Sequence, residues 1–384
     1  MLGVYFLKGL ILHIMKHHTS ISKISINNFR NYESVAFSFP EDKNFIVISG
    51  GNGAGKTNIL EAISLFSPGK GLRKASNNDL QNISNKSQPW GIAIDLNKDD
   101  NEHKLGTGTL SPDSTRRTIR INGEPVKSRS LVAEYISVIW LTPQMDKIFI
   151  ETKSTRRRYF DKMMTDLNPE LARDFFDYDR AMKDRTKILK DGIDDAVWLL
   201  NLEKIMIEKG IVIGKARINF CDQLNQQIQI DNISEFPKGH IDIDGTIENL
   251  LREHKNIEDT KHILFNEFLS NRPRDAARGG ATTGAHKSDF AVQYIDKDMP
   301  ASLCSTGEQK ALLISTFLSF AHEMKDKHKQ APIILLDELI AHLDIGRKNS
   351  LFLELEKLTS QVFMTGTEKE LFSEITDKSE VIDL

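Results

Sequence analysis

At 384 residues, with 39% hydrophobic and 27% charged side chains, the chain can bury a sizeable core and divide into about two domains. A formal net charge of −3 at pH 7 argues against a protein that coats nucleic acid constitutively and leaves room for local basic patches, so DNA binding is expected to be conditional. Two cysteines, Cys221 and Cys304, exclude a disulfide framework and a zinc site and suit a reducing cytoplasm.

The chain opens with MLGVYFLKGLILHIM, an apolar stretch interrupted by Lys8 that lacks a basic start, a small-residue cleavage site and the length to span a bilayer. A second methionine, Met15, stands shortly before the regular pattern begins. Residues 1–20 therefore read as a poorly ordered N-terminal extension, with an interfacial amphipathic segment as the alternative. From Ile21 the pattern alternates. Ile24 and Ile26, then Val35, Phe37 and Phe39, then Trp90, Ile92, Ile94 and Leu96, then Ile119 and Ile121 recur with period two, and Asn122-Gly123 supplies a tight turn. This predicts antiparallel strands forming a β-layer beside a parallel, nucleotide-binding sheet.

Between the second and third of these groups, the apolar run Phe45 to Ser49 predicts a buried strand. It breaks into Gly50-Gly51-Asn52-Gly53-Ala54-Gly55-Lys56-Thr57, and apolar residues then return at helical spacing at Ile59, Leu60, Ile63 and Phe66. This strand, glycine loop and helix fit the P-loop pattern. Glycines let successive N–H groups face one anion, Lys56 reaches β/γ-phosphates, and Thr57 offers its hydroxyl to Mg²⁺ at the positive end of the helix. The loop over residues 67–80 carries Lys70, Arg73 and Lys74; a solvated loop and a phosphate-contacting one both fit it. Ile136 to Leu141 predicts another buried strand, and Gln144 just beyond its end could ligate Mg²⁺ through the amide oxygen.

The middle of the chain changes period. Leu171, Phe175, Tyr178, Met182, Arg185 and Leu189 step by four and three, as do Leu199, Leu202, Met206, Lys209, Ile213, Ala216 and Phe220 after the turn at Asp191-Gly192. Two helices with facing seams are predicted, forming a short antiparallel arm. Arg156-Arg157-Arg158 precede it, and Lys183, Arg185, Lys187 and Lys190 decorate its first helix. These cations read either as DNA contacts or as a solvated face with partners such as Asp179 for Lys183. Residues 229–260 are polar and weakly periodic, with one strand or hairpin expected.

In the last third, Ile333 to Leu336 predicts a core strand that delivers Asp337 and Glu338 to a nucleotide edge. Asp337 would hold the Mg²⁺ shell, and Glu338 could orient and deprotonate an attacking water. About thirty residues earlier, Ser305-Thr306-Gly307-Glu308-Gln309 opens a helix that is apolar nearly all round. Ser305 and Gly307 there form either an anion site or a helix cap.

The order of these segments, ending in Ala341-His342-Leu343-Asp344, resembles the ABC-type ATPase heads of SMC-like DNA repair proteins, and within them the RecF family of recombination mediators. The residues that carry the resemblance are ISKISINNFRNYESVAFSF, GGNGAGKTNILEAI, Arg156 to Asp161, Gly284 to Asp289 and STGEQK; it covers nearly everything after residue 20. The Gly284 segment usually reads Gly-Pro-His-Arg-Asp-Asp, whereas Ala285, Lys287 and Ser288 stand here. Thr365-Gly366-Thr367 occupies the place where many ABC heads carry a switch histidine.

The resemblance implies an ABC-type P-loop ATPase head of mixed sheet plus antiparallel β-layer over residues 21–150 and 281–384, with an inserted, mainly helical arm over 151–280. It implies ATP and Mg²⁺ as cofactors, a signature of Ser305, Gly307, Glu308 and Gln309 acting on the ATP of a second copy, and Asp344 as the D-loop residue. It further implies an ATP-induced homodimer on duplex and gapped DNA, slow hydrolysis that releases it, partnership with RecR and RecO, and loading of RecA. DNA contact is expected at Lys70, Arg73, Lys74, Arg156 and Arg157. A transporter nucleotide-binding subunit would be expected to have a shorter helical insert, a switch histidine and a membrane partner. Another SMC-like or anti-phage ATPase would add a long coiled coil or a nuclease domain, and neither fits the roughly 130 residues between the halves of the head.

Overall fold

The alternating pattern becomes sheet from Ser20 onward. The computed structural model describes residues 19–126, 129–193, 195–231, 233, 235–254 and 256–384, so the N-terminal extension expected over residues 1–20 lies, up to residue 18, outside the described residues. The first stretch of chain forms β1 (Ser20–Phe29), β2 (Tyr32–Ser38), β3 (Phe45–Ser49), α1 (Lys56–Ser64), α2 (Asn77–Leu80), β4 (Gly91–Lys98), β5 (Asn101–Gly108), β6 (Thr118–Ile121), β7 (Glu124–Pro125) and β8 (Val138–Leu141). The middle forms α3 (Lys153–Leu167), α4 (Leu171–Asp191), α5 (Ala196–Ile230), β9 (Gly239–Asp244), α6 (Thr246–Glu253), α7 (Ile257–Arg278), β10 (Asp289–Tyr294) and β11 (Met299–Pro300). The last stretch forms α8 (Thr306–His328), β12 (Ile333–Leu336), α9 (Ile345–Leu358), β13 (Val362–Gly366) and β14 (Ser379–Asp383).

These elements divide into two compact units. One runs to Met145 and resumes at Ile233–Glu235 and Ala321–Leu384; the other comprises Asp146–Asn232 and Phe236–Phe320. In the first unit, six strands in the order β2-β1-β4-β5-β6-β7 make an antiparallel sheet. Ile24 pairs with Ile94 and Ile26 with Ile92, so the apolar residues of neighbouring strands share one face and bury it. Five strands in the order β14-β3-β13-β12-β8 make a parallel sheet. Its central strands β3, β12 and β13 are buried at every position, the near-continuous apolar run expected of parallel strands. One core joins both sheets and takes in Ile24, Ile94, Ile48, Ile59, Leu335 and Phe363. The Gln361 side chain adds a polar tie between them, accepting from the Ile21 N–H at 2.7 Å and donating to its carbonyl at 3.0 Å.

In the second unit, α4 and α5 pack through the predicted seam, with Tyr178, Leu199, Leu202, Met206 and Ile213 buried in one cluster. α6 was not anticipated: the stretch expected to hold a strand or hairpin yields β9 and then this eight-residue helix. Ile247, Leu250 and Leu251 carry helical spacing there, but across only two turns set among polar residues. α6 lies close against α5: a Cβ at Gly214 would stand 2.8 Å from Ile247 Cγ2 and one at Gly210 2.8 Å from Ile247 Cδ1, so the two glycines make room for Ile247.

Arg185 corrects another expectation. It lies within the core, fully buried, with Nε 2.9 Å from Glu203 and Nη1 2.7 Å from Asp275. Nη2 donates to the Phe268 carbonyl at 3.0 Å. A guanidinium can be buried when carboxylates and a carbonyl satisfy its fork. Among the described residues no helix is long and apolar enough to cross a membrane.

Candidate nucleotide site

The glycine loop follows a strand that is buried throughout, which fixes where the loop begins. Gly53 and Gly55 have φ values of 86° and 111°, a left-handed region that favours glycine and lets the chain turn into α1. No side chain caps the first turn of α1, which leaves the leading N–H groups of the helix for an anion, while the Asn58 N–H bonds the Gly55 carbonyl at 2.8 Å. Lys56 is buried at its base and donates to the carbonyls of Gly50 at 2.7 Å and Gly51 at 3.0 Å. The ammonium thus sits inside the curl where β- and γ-phosphates would lie.

The turn between β1 and β2 closes over this loop. A Cβ at Gly55 would stand 2.6 Å from both Asn31 Nδ2 and the Tyr32 hydroxyl. Asn31 donates to the Ala54 carbonyl at 3.3 Å and accepts from Asn58 at 2.6 Å. Burial pushes the Tyr32 phenol up to about 12. Sequence reasoning gave these two residues no role; the available signal was their place in NNFRNY, ahead of the glycine loop. Arg30 grips Glu61 of α1 through two bonds of 2.8 and 2.7 Å, and Glu61 is fully buried.

The carboxylates arrive from the neighbouring strands. β12 ends at Leu336, and Asp337 donates its N–H to the Leu141 carbonyl of β8 at 3.0 Å. The Thr57 hydroxyl donates to Asp337 Oδ1 at 2.9 Å, and Thr365 at the end of β13 donates to the same oxygen at 2.9 Å. Thr365 Oγ1 in turn accepts the Glu338 N–H at 2.9 Å. Glu338 has φ of 49° and is partly exposed. Gln144 is exposed in the turn after β8, whose Leu141 pairs with Leu336, so it lies at the same end of the parallel sheet. Among the described residues no cluster of three acidic, histidine or cysteine ligands exists. A hydroxyl and a carboxylate 2.9 Å apart are nevertheless the hard oxygen donors that Mg²⁺ takes alongside substrate phosphates, and the residues present fit that ion.

The signature segment belongs to the second unit. Ser305, Thr306 and Gly307 are exposed at the start of α8. Ser305 caps the helix reciprocally with Glu308: its N–H and hydroxyl donate to Glu308 Oε2 at 2.9 and 2.8 Å, and its Oγ accepts the Glu308 N–H at 3.4 Å. The Lys297 ammonium, which also bonds Glu308, and the Ser305 donors hold that carboxyl down to about 2. Gln309 is buried and bonds the Cys304 carbonyl at 2.9 Å. Asp344 caps α9, accepting from the Arg347 N–H at 2.9 Å.

Of the basic candidates, Lys70 and Lys74 are exposed, and Lys70 borders a cavity of about 220 Å³ walled also by the buried Arg117. Arg73 donates to Asn58 at 2.7 Å and to Glu61 at 3.1 Å. Arg156 makes a two-pronged pair with Asp289 at 3.0 and 2.6 Å, and Arg157 donates to the Ser288 carbonyl at 2.9 Å. The Gly284 to Asp289 segment is thus an internal knot. Arg217 holds the Ala285 carbonyl at 2.7 Å, Ser288 bonds Glu248 at 2.7 Å, and His286 bonds Tyr178 and the Ala281 carbonyl at 2.9 Å each. Burial pushes the His286 imidazole down to about 4. Arg156→Glu is expected to lower stability by roughly 3 kcal/mol or more, because it sets a carboxylate against a largely buried Asp289. An unchanged urea midpoint together with weakened DNA binding would assign Arg156 to DNA instead.

A family model described as the RecF/RecN/SMC N terminal domain matches residues 20–383. The chain is 37% identical over 371 residues to the DNA replication and repair protein RecF of Rhizobium rhizogenes, covering 95% of this chain and 97% of that one. It is 38% identical over 372 residues to the protein of the same name from Mesorhizobium japonicum, covering 96% and 97%. In fold it is similar to the recombination mediator protein RecF–ATPrS in the RecFOR pathway, with a TM-score of 0.82 at 22% identity over 96% of this chain and 97% of that one. It is more distantly similar to an Smc head domain with an extended coiled coil from Pyrococcus furiosus, with a TM-score of 0.51 at 17% identity over 95% and 93%.

Proposed function

Because the chain belongs to the RecF/RecN/SMC N-terminal domain family, as a RecF-like DNA replication and repair protein with an ABC-type ATPase head, we propose that it is an ATP-gated DNA clamp whose slow, Mg²⁺-dependent hydrolysis serves as a release switch. The observation that carries this reading is the 2.9 Å bond between the Thr57 hydroxyl and Asp337. It brings the phosphate loop and the carboxylate strand to one point, with Lys56 one residue away.

In this reading Lys56 and the loop N–H groups hold the β- and γ-phosphates, while Thr57, Asp337 and Gln144 hold Mg²⁺. The ion would neutralise charge on the phosphates. Glu338 takes the proton of the attacking water, and little more is needed of the protein than positioning and charge stabilisation. Each chain offers one glycine loop and one Ser305 segment, and ABC-type heads complete an ATP site with the signature serine of a second copy. ATP therefore joins two chains. Exposed Ser305 and Gly307, at the uncovered end of a buried helix, suit contact with that second nucleotide. DNA contact is assigned first to Lys70, which is exposed, whereas Arg73, Arg156 and Arg157 make internal bonds. RecO and RecR as partners, and RecA as the protein loaded, accompany the same reading, as does a cytoplasmic location.

Ser305→Arg tests the two-chain site. The variant is expected to bind ATP as a monomer within about twofold of wild type, since Ser305 lies outside its own phosphate loop, yet to give no ATP-induced dimer on gel filtration. A guanidinium in place of a small hydroxyl blocks the approach sterically and adds a buried charge. Normal ATP-induced dimers would overturn the assignment.

A further inference from the structure

We propose that Thr365 is a positioning residue that couples the two carboxylates of the nucleotide site, an assignment that rests on reading that site as one for ATP and Mg²⁺. Thr365 stands on β13 opposite Ile48 of β3, and its neighbour Met364 pairs with Leu336 of β12. The register therefore places the threonine beside the first residue after β12. Its hydroxyl is buried, donates to Asp337 Oδ1 and accepts the Glu338 N–H, both at 2.9 Å. A carboxylate can only accept and a backbone N–H can only donate, so these two partners fix the direction of the single hydroxyl proton. Thr365 thus has no proton left for a phosphate oxygen, and sensing of the γ-phosphate falls to another group.

Two consequences follow from one oxygen. The bond to Oδ1 restrains the Asp337 carboxylate when Thr57 turns its hydroxyl away to meet a metal ion, so the ligand stays aimed while its other partner leaves. The bond from the Glu338 N–H holds a backbone at φ 49°, a left-handed conformation that a residue with a Cβ adopts only at a steric cost. That conformation sets the direction in which the Glu338 carboxylate leaves the strand end. Misplacement by about 1 Å from a reacting group is enough to lower a rate about a hundredfold.

Thr365→Val removes the oxygen and keeps the shape; Thr365→Ser keeps the oxygen. The valine variant is expected to lose about tenfold or more in kcat for ATP hydrolysis. It should also lose several-fold in the enhancement of ATP affinity by Mg²⁺, read by titrating a fluorescent ATP analogue with and without the metal, while metal-free affinity stays within about twofold. The serine variant is expected to restore both. Wild-type kcat and an unaltered Mg²⁺ enhancement in the valine variant would overturn the proposal, as would a serine variant as impaired as valine, which marks a packing role. Lys56→Ala separates the underlying reading: ATP binding that survives that change removes the nucleotide site itself, whereas its loss beside a normal valine variant removes Thr365 alone.

Discussion

Lys56→Ala is expected to lower ATP affinity by at least about a hundredfold and to abolish ATP-induced dimers. Lys56 is the one cation within the glycine loop, and its ammonium donates to the carbonyls of Gly50 and Gly51. A phosphate entering the loop replaces those neutral acceptors by charged ones, and a charge-assisted bond is roughly twice as strong as a neutral one. The loop is partly shielded from water, so the attraction is screened less than at an open surface. A loss of about 2.7 kcal/mol corresponds to a hundredfold in affinity. The fold should survive, because β3 and α1 are anchored by Ile46, Ile48, Ile59 and Ile63, all fully buried. Isothermal titration with ATP and Mg²⁺ measures the effect, and an affinity within about threefold of wild type would show that the loop does not bind triphosphate.

The parts of this site that could be read from the sequence are contiguous. β3, the glycine loop and α1 occupy one uninterrupted stretch, and each announces itself by a local pattern: an apolar run, closely spaced glycines, then a 3.6 period. Asp337 and Glu338 were legible for the same reason, since four buried residues of β12 precede them. What could not be read depends on partners far along the chain. Arg156 meets Asp289 across 133 positions and Arg185 meets Asp275 across 90, so each guanidinium resembles a solvated cation until the fold supplies its acid. Asn31 and Tyr32 gain their place only when the β1–β2 turn meets Gly55. Thr365 shows the limit most clearly: its position invites comparison with a phosphate sensor, yet parallel pairing of β13 with β12 turns its hydroxyl to the Asp337 carboxylate and the Glu338 N–H. Basic residues in the 67–80 loop and the Arg156 cluster look alike by composition, whereas burial separates exposed Lys70 from the paired Arg156.

Glu338→Gln is expected to lower turnover by two orders of magnitude or more while leaving ATP binding intact, and to trap ATP-bound dimers on DNA. The amide keeps the length and the hydrogen-bonding capacity of the side chain but cannot take a proton from water, and general-base assistance contributes about 10²–10⁴-fold. The rest of the site would be undisturbed: Asp337 keeps its bonds from Thr57 and Thr365, and the Glu338 N–H still meets Thr365. The left-handed backbone at φ 49° is no harder for glutamine than for glutamate, so a change in stability is not expected to confound the result. If hydrolysis opens the dimer, DNA release should slow in proportion to turnover. Dissociation of labelled gapped DNA, followed after a chase with unlabelled DNA in excess ATP and Mg²⁺, reads this directly. Equal dissociation rates for the two proteins beside a large loss of turnover would uncouple release from hydrolysis; unchanged turnover would remove Glu338 from the role of base and return attention to the water-facing groups around Gln144.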